Sequence, residues 1–154
     1  MIEEYFDEYL LASDPTLLGD VAMEMARYVP VGTEMLVGME LGGIPLAVTL
    51  SAVTGIPVGF LRRERKSYGT HRQVEGRLVA GRDVVLVDDV VRSGSQVLRA
   101  ASVLRRAGAS VATVICVLDR GIGGQARLAE NQIILQPLLT PEALGTKPSV
   151  RCAD

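Results

Sequence analysis

Apolar positions along this chain gather into blocks of two kinds. Short, nearly unbroken apolar runs occupy Met35–Met39, Pro57–Leu61, Asp83–Val87, Val111–Leu118 and Ile133–Leu135. Runs of this kind, several of them rich in valine and isoleucine, read as strands covered on both faces. Between them lie segments with helical spacing. Leu17, Leu18, Val21, Met25 and Tyr28 follow Ser13-Asp14-Pro15, a capping signal with proline in the first turn, and the pattern runs to Pro30. Gly42-Gly43 breaks the chain before a helix from about Pro45 to Thr54, ended by Gly55. Gln96–Arg106, ended by Gly108, and Gln125–Glu130 read as further helices, and Thr140-Pro141-Glu142 as the start of a last short one. Arg62 to Gly76 is polar throughout and reads as one long loop, a kind of segment that in compact domains is often functional.

Strands alternating with helices across short connections predict an α/β fold, a mostly parallel central sheet flanked by helices. In such sheets ligands bind beyond the C-terminal strand ends, where the strand order reverses. The positions to inspect therefore follow Met39, Leu61, Val87 and Leu118. A length of 154 residues predicts one domain spanning 1–154, with a core at about 13–138 and a loose polar tail at 145–154.

Composition narrows the chemistry. A formal net charge of −2 gives no global attraction to nucleic acid or acidic membranes, so any anion site must be built from local cations. His71 is the single histidine, which excludes a multi-histidine metal centre or a histidine-based triad. Cys116 and Cys152 are too few for a disulfide framework. No apolar stretch is long enough to span a bilayer and no leader pattern opens the chain, so the expectation is a protein of the reducing cytoplasm, with no membrane or nucleic-acid partner.

Val84 to Gln96 carries the most information. An apolar strand runs into Asp88-Asp89, then Val90-Val91, then the turn Arg92-Ser93-Gly94-Ser95 and Gln96. Adjacent carboxylates suit the vicinal hydroxyls of a sugar. A turn of small residues lets backbone N–H groups and a helix N-terminus close on a phosphate. Glu40-Leu41-Gly42-Gly43 at a strand-to-helix junction allows a similar close approach. The loop Arg62-Arg63-Glu64-Arg65-Lys66-Ser67-Tyr68-Gly69-Thr70 concentrates cations, and Asp119-Arg120 ends a strand. Taken alone, these last features also fit a plain turn, a solvated basic loop and a surface ion pair.

The Val84–Gln96 segment resembles the phosphoribosyl pyrophosphate (PRPP) motif of type I phosphoribosyltransferases. With Tyr5 to Tyr9, Ser13-Asp14-Pro15, Glu40 to Ala47, Arg62 to Gly69 and Asp119-Arg120, the chain from Tyr5 to about Leu144 resembles the orotate phosphoribosyltransferase family. The resemblance implies transfer of a phosphoribosyl group from PRPP to orotate, giving orotidine 5-monophosphate and pyrophosphate, with Mg²⁺. It implies a homodimer whose basic loop closes over the neighbour's site. Arg63 and Lys66 fall at the positions of the family's lid cations, with Asp88 and Asp89 as the catalytic carboxylates and possible Mg²⁺ contacts. PRPP contacts map to Glu40, Leu41, Gly42, Gly43, Arg62, Arg63, Lys66, Tyr68 and the run Asp88, Asp89, Val90, Val91, Arg92, Ser93, Gly94, Ser95, Gln96. Orotate contacts map to Arg120 and Arg92.

The chain departs from the family pattern in places. Met1-Ile2-Glu3-Glu4 stands where relatives carry a hood segment, so a reduced hood is expected. Arg92 replaces the usual threonine of the phosphate turn, Tyr68 a lid histidine of some members, and Asp88 a more usual glutamate. These differences leave open two other readings: a non-catalytic PRPP- or nucleotide-binding regulator, and a phosphoribosyltransferase for another base.

Overall fold

The computed structural model describes residues 7–65, 67–69 and 72–145. Its elements in chain order are α1 (Glu8–Ser13), α2 (Pro15–Ala26), β1 (Met35–Met39), α3 (Gly43–Thr54), β2 (Val58–Leu61), β3 (Val74–Gly76), β4 (Asp83–Val91), α4 (Ser95–Arg106), β5 (Ser110–Asp119), α5 (Gly124–Glu130) and β6 (Ile134–Leu139). The six strands form one sheet in the order β3-β2-β1-β4-β5-β6, parallel except for β3 against β2. The mixed α/β architecture read from the sequence is the architecture found.

Each strand's alternation divides the core. Met35, Val37 and Met39 point with Val84, Leu86, Val114 and Cys116 to the face covered by α4 and α5. Leu36, Val85, Val87, Ile115 and Val117 point to the opposite face, against Leu46 and Leu50 of α3 and Met25 of α2. A strand apolar on both faces has no exposed side, which is why the sequence shows continuous apolar runs rather than alternation.

Four local expectations need correction. First, β4 does not stop at Val87 but continues through the acidic pair to Val91. The reason is β5, which runs beside it with Asp88 opposite Cys116, Val90 opposite Leu118 and Val91 opposite Asp119. Second, the polar stretch before Asp83 is not all loop, because Val74–Gly76 pairs antiparallel with Gly59–Leu61. Third, residues 141–145 form a turn rather than a helix, with the Leu144 N–H donating to the Thr140 carbonyl at 3.1 Å. Fourth, β6 begins at Ile134 and runs to Leu139, through Pro137, which an edge strand tolerates. One helix was not expected at all. Asp7 accepts from the N–H groups of Tyr9 and Leu10 at 3.0 and 3.1 Å and so starts α1.

The sheet order places the site. From β1 the chain first moves out to β2 and β3, then crosses to the other side of β1 for β4, β5 and β6. The order therefore reverses between β1 and β4, and the C-terminal ends of those two strands part there to form a crevice.

Candidate active site

That crevice is a cleft of about 310 Å³. Its floor and walls come from Glu40, Leu41 and Gly42 after β1, from Asp88 to Val91 on β4, from the turn Arg92-Ser93-Gly94, and from the first turn of α4. Gly94 holds φ at +80°, a conformation that glycine adopts without a Cβ penalty, and this swings the chain from strand into helix. Ser93 Oγ lies 3.1 Å from Ser95 Oγ across the turn. A helix N-terminus with unpaired N–H groups and partial positive charge thus opens into the cleft beside two hydroxyls.

Asp88 and Asp89 adjoin in sequence but differ in environment. Asp88 is 8% exposed, and its Oδ1 accepts from the Asp89 N–H at 2.9 Å. Burial pushes the Asp88 carboxyl well above the usual carboxylate range, reinforced by its hydrogen bond with the Asp89 side chain and by the Asp89 charge; the Asp89 N–H and then Arg63 pull the other way. Asp89 is half-buried, and its Oδ1 accepts from the Val90 N–H at 2.8 Å. Its carboxylate lies directly against the backbone of Gly42, where an added Cβ would collide with it. Gly42 itself has φ −65° and ψ −24°, an ordinary helical conformation, so the glycine supplies space rather than conformational freedom. A Cβ on Gly43 would meet the Val87 carbonyl, so the two glycines set α3 against β4 and the acidic pair.

The opposite wall carries the cations. The Arg63 N–H donates to Glu40 Oε2 at 2.8 Å, and the Glu40 N–H donates to the Leu61 carbonyl at 3.0 Å. Gln73 ties the same segment from β3. Its Nε2 donates to the carbonyls of Arg62 and Arg63, both at 3.1 Å, and its own carbonyl accepts from the Arg62 N–H at 2.8 Å. The peptide between Glu40 and Leu41 is cis.

Most residues singled out in the sequence meet here: Glu40, Leu41, Gly42, Arg63 and the whole run Asp88 to Gln96 line one cleft. Gly43 lies beneath it, against β4. Arg62 lines an adjoining hollow and reaches Glu75 across 3.9 Å. Tyr68 is 70% exposed and outside the cleft wall. Lys66 lies outside the described residues. Asp119 and Arg120 do not form a surface ion pair, the plainer alternative for this segment. Asp119 is buried and accepts from the Gly121 N–H at 2.9 Å, while Arg120 Nε is buried without a hydrogen-bond partner among the described residues. The Arg120 N–H donates to the Val91 carbonyl at 2.9 Å, so its backbone is fixed to the end of β4. Glu8 and Tyr9 on α1 also line the cleft and were not anticipated as site residues. The available signals were Asp7, a helix cap placed just before them, and their place in the family-like segment Tyr5 to Tyr9.

Known proteins resemble this chain in sequence and in fold. The sequence profile of the phosphoribosyl transferase domain matches residues 18–135. The orotate phosphoribosyltransferase of a Nocardioides strain is 45% identical over 141 residues, covering 92% of this chain and 79% of its own. The crystal structure of orotate phosphoribosyltransferase from Aeropyrum pernix is 33% identical, with a TM-score of 0.75 over 92% of this chain and 83% of its own. The Mycobacterium tuberculosis orotate phosphoribosyltransferase in complex with PRPP shares the fold, with a TM-score of 0.81 at 22% identity over 92% of this chain and 84% of its own. Sequence and fold agree, and the chain belongs to the orotate phosphoribosyltransferase family.

Proposed function

We propose that this protein transfers the 5-phosphoribosyl group of PRPP to orotate, a step of pyrimidine nucleotide synthesis. The observation that carries the reading is the meeting, in one cleft, of the acidic pair at the end of β4 and the phosphate-sized turn into α4. In the reaction the bond from ribose C1 to the pyrophosphate oxygen breaks and the bond from C1 to orotate N1 forms. Pyrophosphate leaves with the bonding electron pair, and the N1 proton is given up.

The chain's own residues serve this geometry. Asp89, and Asp88 behind it, accept hydrogen bonds from the ribose hydroxyls. The backbone of Arg92 to Gln96 and the hydroxyls of Ser93 and Ser95 hold the 5-phosphate at the N-terminus of α4. Glu40 to Gly43 lets the pyrophosphate approach the backbone. The guanidinium of Arg63, with Lys66 from the same basic loop, balances charge that grows on the departing pyrophosphate. Interactions that strengthen in the transition state raise turnover rather than ground-state binding. Arg120, set beside Val91 with an Nε that has no partner among the described residues, and Arg92 in the turn are the cations for the orotate carboxylate.

Mg²⁺ belongs to the same reading. The donor set fits an ion carried in on PRPP, since Mg²⁺ is usually held by one or two carboxylates plus substrate phosphates. Asp88 and Asp89 supply such a pair, and no cluster of three His, Cys, Asp or Glu exists among the described residues. The ion would neutralise phosphate charge. The reading takes residues 1–154 as one catalytic domain and the enzyme as a cytoplasmic homodimer. Exposed Val48, on α3, suits a buried contact between copies.

The test is the loss of orotate absorbance with PRPP and Mg²⁺. The wild-type chain should turn over, and Asp89→Asn, with an unchanged circular dichroism spectrum, should not. Absence of turnover by a folded wild-type chain that still binds PRPP would overturn the reading.

A further inference from the structure

A second concavity lies on the far side of the basic loop, between β3 and the C-terminal end of α4. At about 610 Å³ it is larger than the catalytic cleft, and the two share no lining residue. Arg65, Arg72, Arg77 and Arg106 line it, and no aspartate or glutamate does. Arg65 and Arg72 come from the loop between β2 and β3, Arg77 from the far flank of β3, and Arg106 from the end of α4. A solvated charged face, the ordinary fate of such residues, has no reason to be concave or to gather cations from distant parts of the chain.

The charges are also available. Arg65, Arg72 and Arg77 make no hydrogen bond or ion pair among the described residues, and Arg106 only donates from Nε to the Ser102 carbonyl of its own helix at 3.3 Å. The C-terminal end of α4 brings partial negative charge to the groove, which Arg106 offsets. The remaining three arginines leave the groove positive in a protein of net charge −2. Its floor is apolar. Val74 and Val103 are partly buried there, and Leu78 stands 72% exposed at its rim. Several phosphate charges and a flat apolar body are the two properties this surface complements.

We propose that this groove is a second ligand site, distinct from the catalytic cleft, which binds a nucleoside triphosphate with its phosphates on the arginines and its base on the Val74–Leu78–Val103 floor. The site communicates with catalysis through Gln73. Gln73 lines the groove, and its side chain also donates to the carbonyls of Arg62 and Arg63 at 3.1 Å. A triphosphate drawn onto Arg72 and Arg77 holds β3 from both ends. That fixes the hydrogen bonds placing Arg63 at the catalytic cleft.

The experiment is calorimetric titration of the full chain with UTP, in wild type, in Asp89→Asn, and in an Arg77→Ala/Arg106→Ala double variant. Both arginines are exposed, so the double variant should keep the wild-type melting temperature and its basal turnover. UTP should bind wild type and Asp89→Asn alike. Binding should weaken by about a hundredfold or more in the double variant, at about tenfold or more per charge-assisted contact. Tripolyphosphate, which lacks the base, should bind more weakly than UTP. The proposal fails if binding survives in the double variant but disappears in Asp89→Asn, which would place UTP in the catalytic cleft. It fails equally if tripolyphosphate matches UTP, since the apolar floor would then be unused. It also fails if wild type binds no UTP, whether or not the double variant changes sedimentation; such a change would show that a second copy of the chain covers the groove. None of these results bears on whether the cleft transfers phosphoribosyl groups.

Discussion

Gly42→Ala should separate catalysis from stability. Its backbone angles are those of a helix, so alanine fits conformationally. At such a position the change from glycine to alanine stabilises by about 0.4–1 kcal/mol, because the unfolded chain loses freedom. Glycine is favoured over alanine at a helix N-cap, a position Gly42 fills for α3, and this offsets part of that gain. The net effect on unfolding should therefore stay within about 1 kcal/mol of wild type. The added methyl would nevertheless occupy the place of the Asp89 carboxylate, whose Oδ1 is 3.0 Å from the ideal Cβ and whose Oδ2 is closer still. Asp89 must turn away and, on the proposed role, lose its contacts to the ribose hydroxyls. Hydrogen bonds to a charged group contribute about 1.5–3 kcal/mol. That predicts a fall in kcat/KM for PRPP of about ten- to hundredfold. Gly43→Ala is the contrast. Its methyl would meet the Val87 carbonyl, which is backbone in the middle of the sheet, so this variant should lose melting temperature as well as activity. Steady-state orotate absorbance assays with varied PRPP, beside thermal melts, make the comparison. A Gly42→Ala enzyme with wild-type kcat/KM for PRPP would refute the close approach of Gly42 to Asp89 and the role given to that carboxylate.

Asp88→Asn should cost activity yet stabilise the fold in a pH-dependent way. The native carboxyl keeps its proton to a higher pH than the unfolded chain, whose ordinary value is 3.8. As pH rises through that window the unfolded state sheds its proton first, so native stability falls, and it stays reduced above the native pKa. The melting-temperature advantage of Asp88→Asn should thus be small near about pH 4 and grow toward neutrality; an advantage that shrinks with rising pH would contradict the burial argument. Arg120→Ala should raise KM for orotate by about tenfold or more, the value of one charge-assisted contact, and leave KM for PRPP unchanged. Equal effects on both substrates would remove Arg120 from orotate recognition.

The chemistry was legible in the sequence because its carriers are local. Val84 to Gln96 places the strand, the acidic pair, the small-residue turn and the helix start in one uninterrupted run, and neighbours in sequence stay neighbours in space. Glu40 to Gly43 and Arg63 were legible for the same reason, each as a short segment after an apolar run. Residues whose role depends on what lies across from them were not legible. Nothing between Arg62 and Gly76 announces a strand until β2 provides an edge for Val74–Gly76 to pair with. Glu8 and Tyr9 belong to a family-like segment but carry no residue-level sign of a place in the site, and they enter the cleft because α1 packs on α2 beside it.

The sequence alone therefore determined the fold class and placed an acidic pair, a small-residue turn and a basic loop after strand-like runs, while the resemblance proposed their roles. Fold class and placement are set by periodicity and by residue types at fixed spacing, which the chain carries wherever it lies. The tertiary structure decided how far β4 extends, since that depends on hydrogen bonds from β5. It decided that Asp88 is buried while Asp89 faces the cleft, and that Asp119 turns to Gly121 while Arg120 Nε has no hydrogen-bond partner among the described residues. It also decided that Gly42 is a matter of room for a carboxylate on another strand. Burial, charge pairing and steric room are properties of atoms brought together from distant parts of the chain, and they exist only once the sheet has formed.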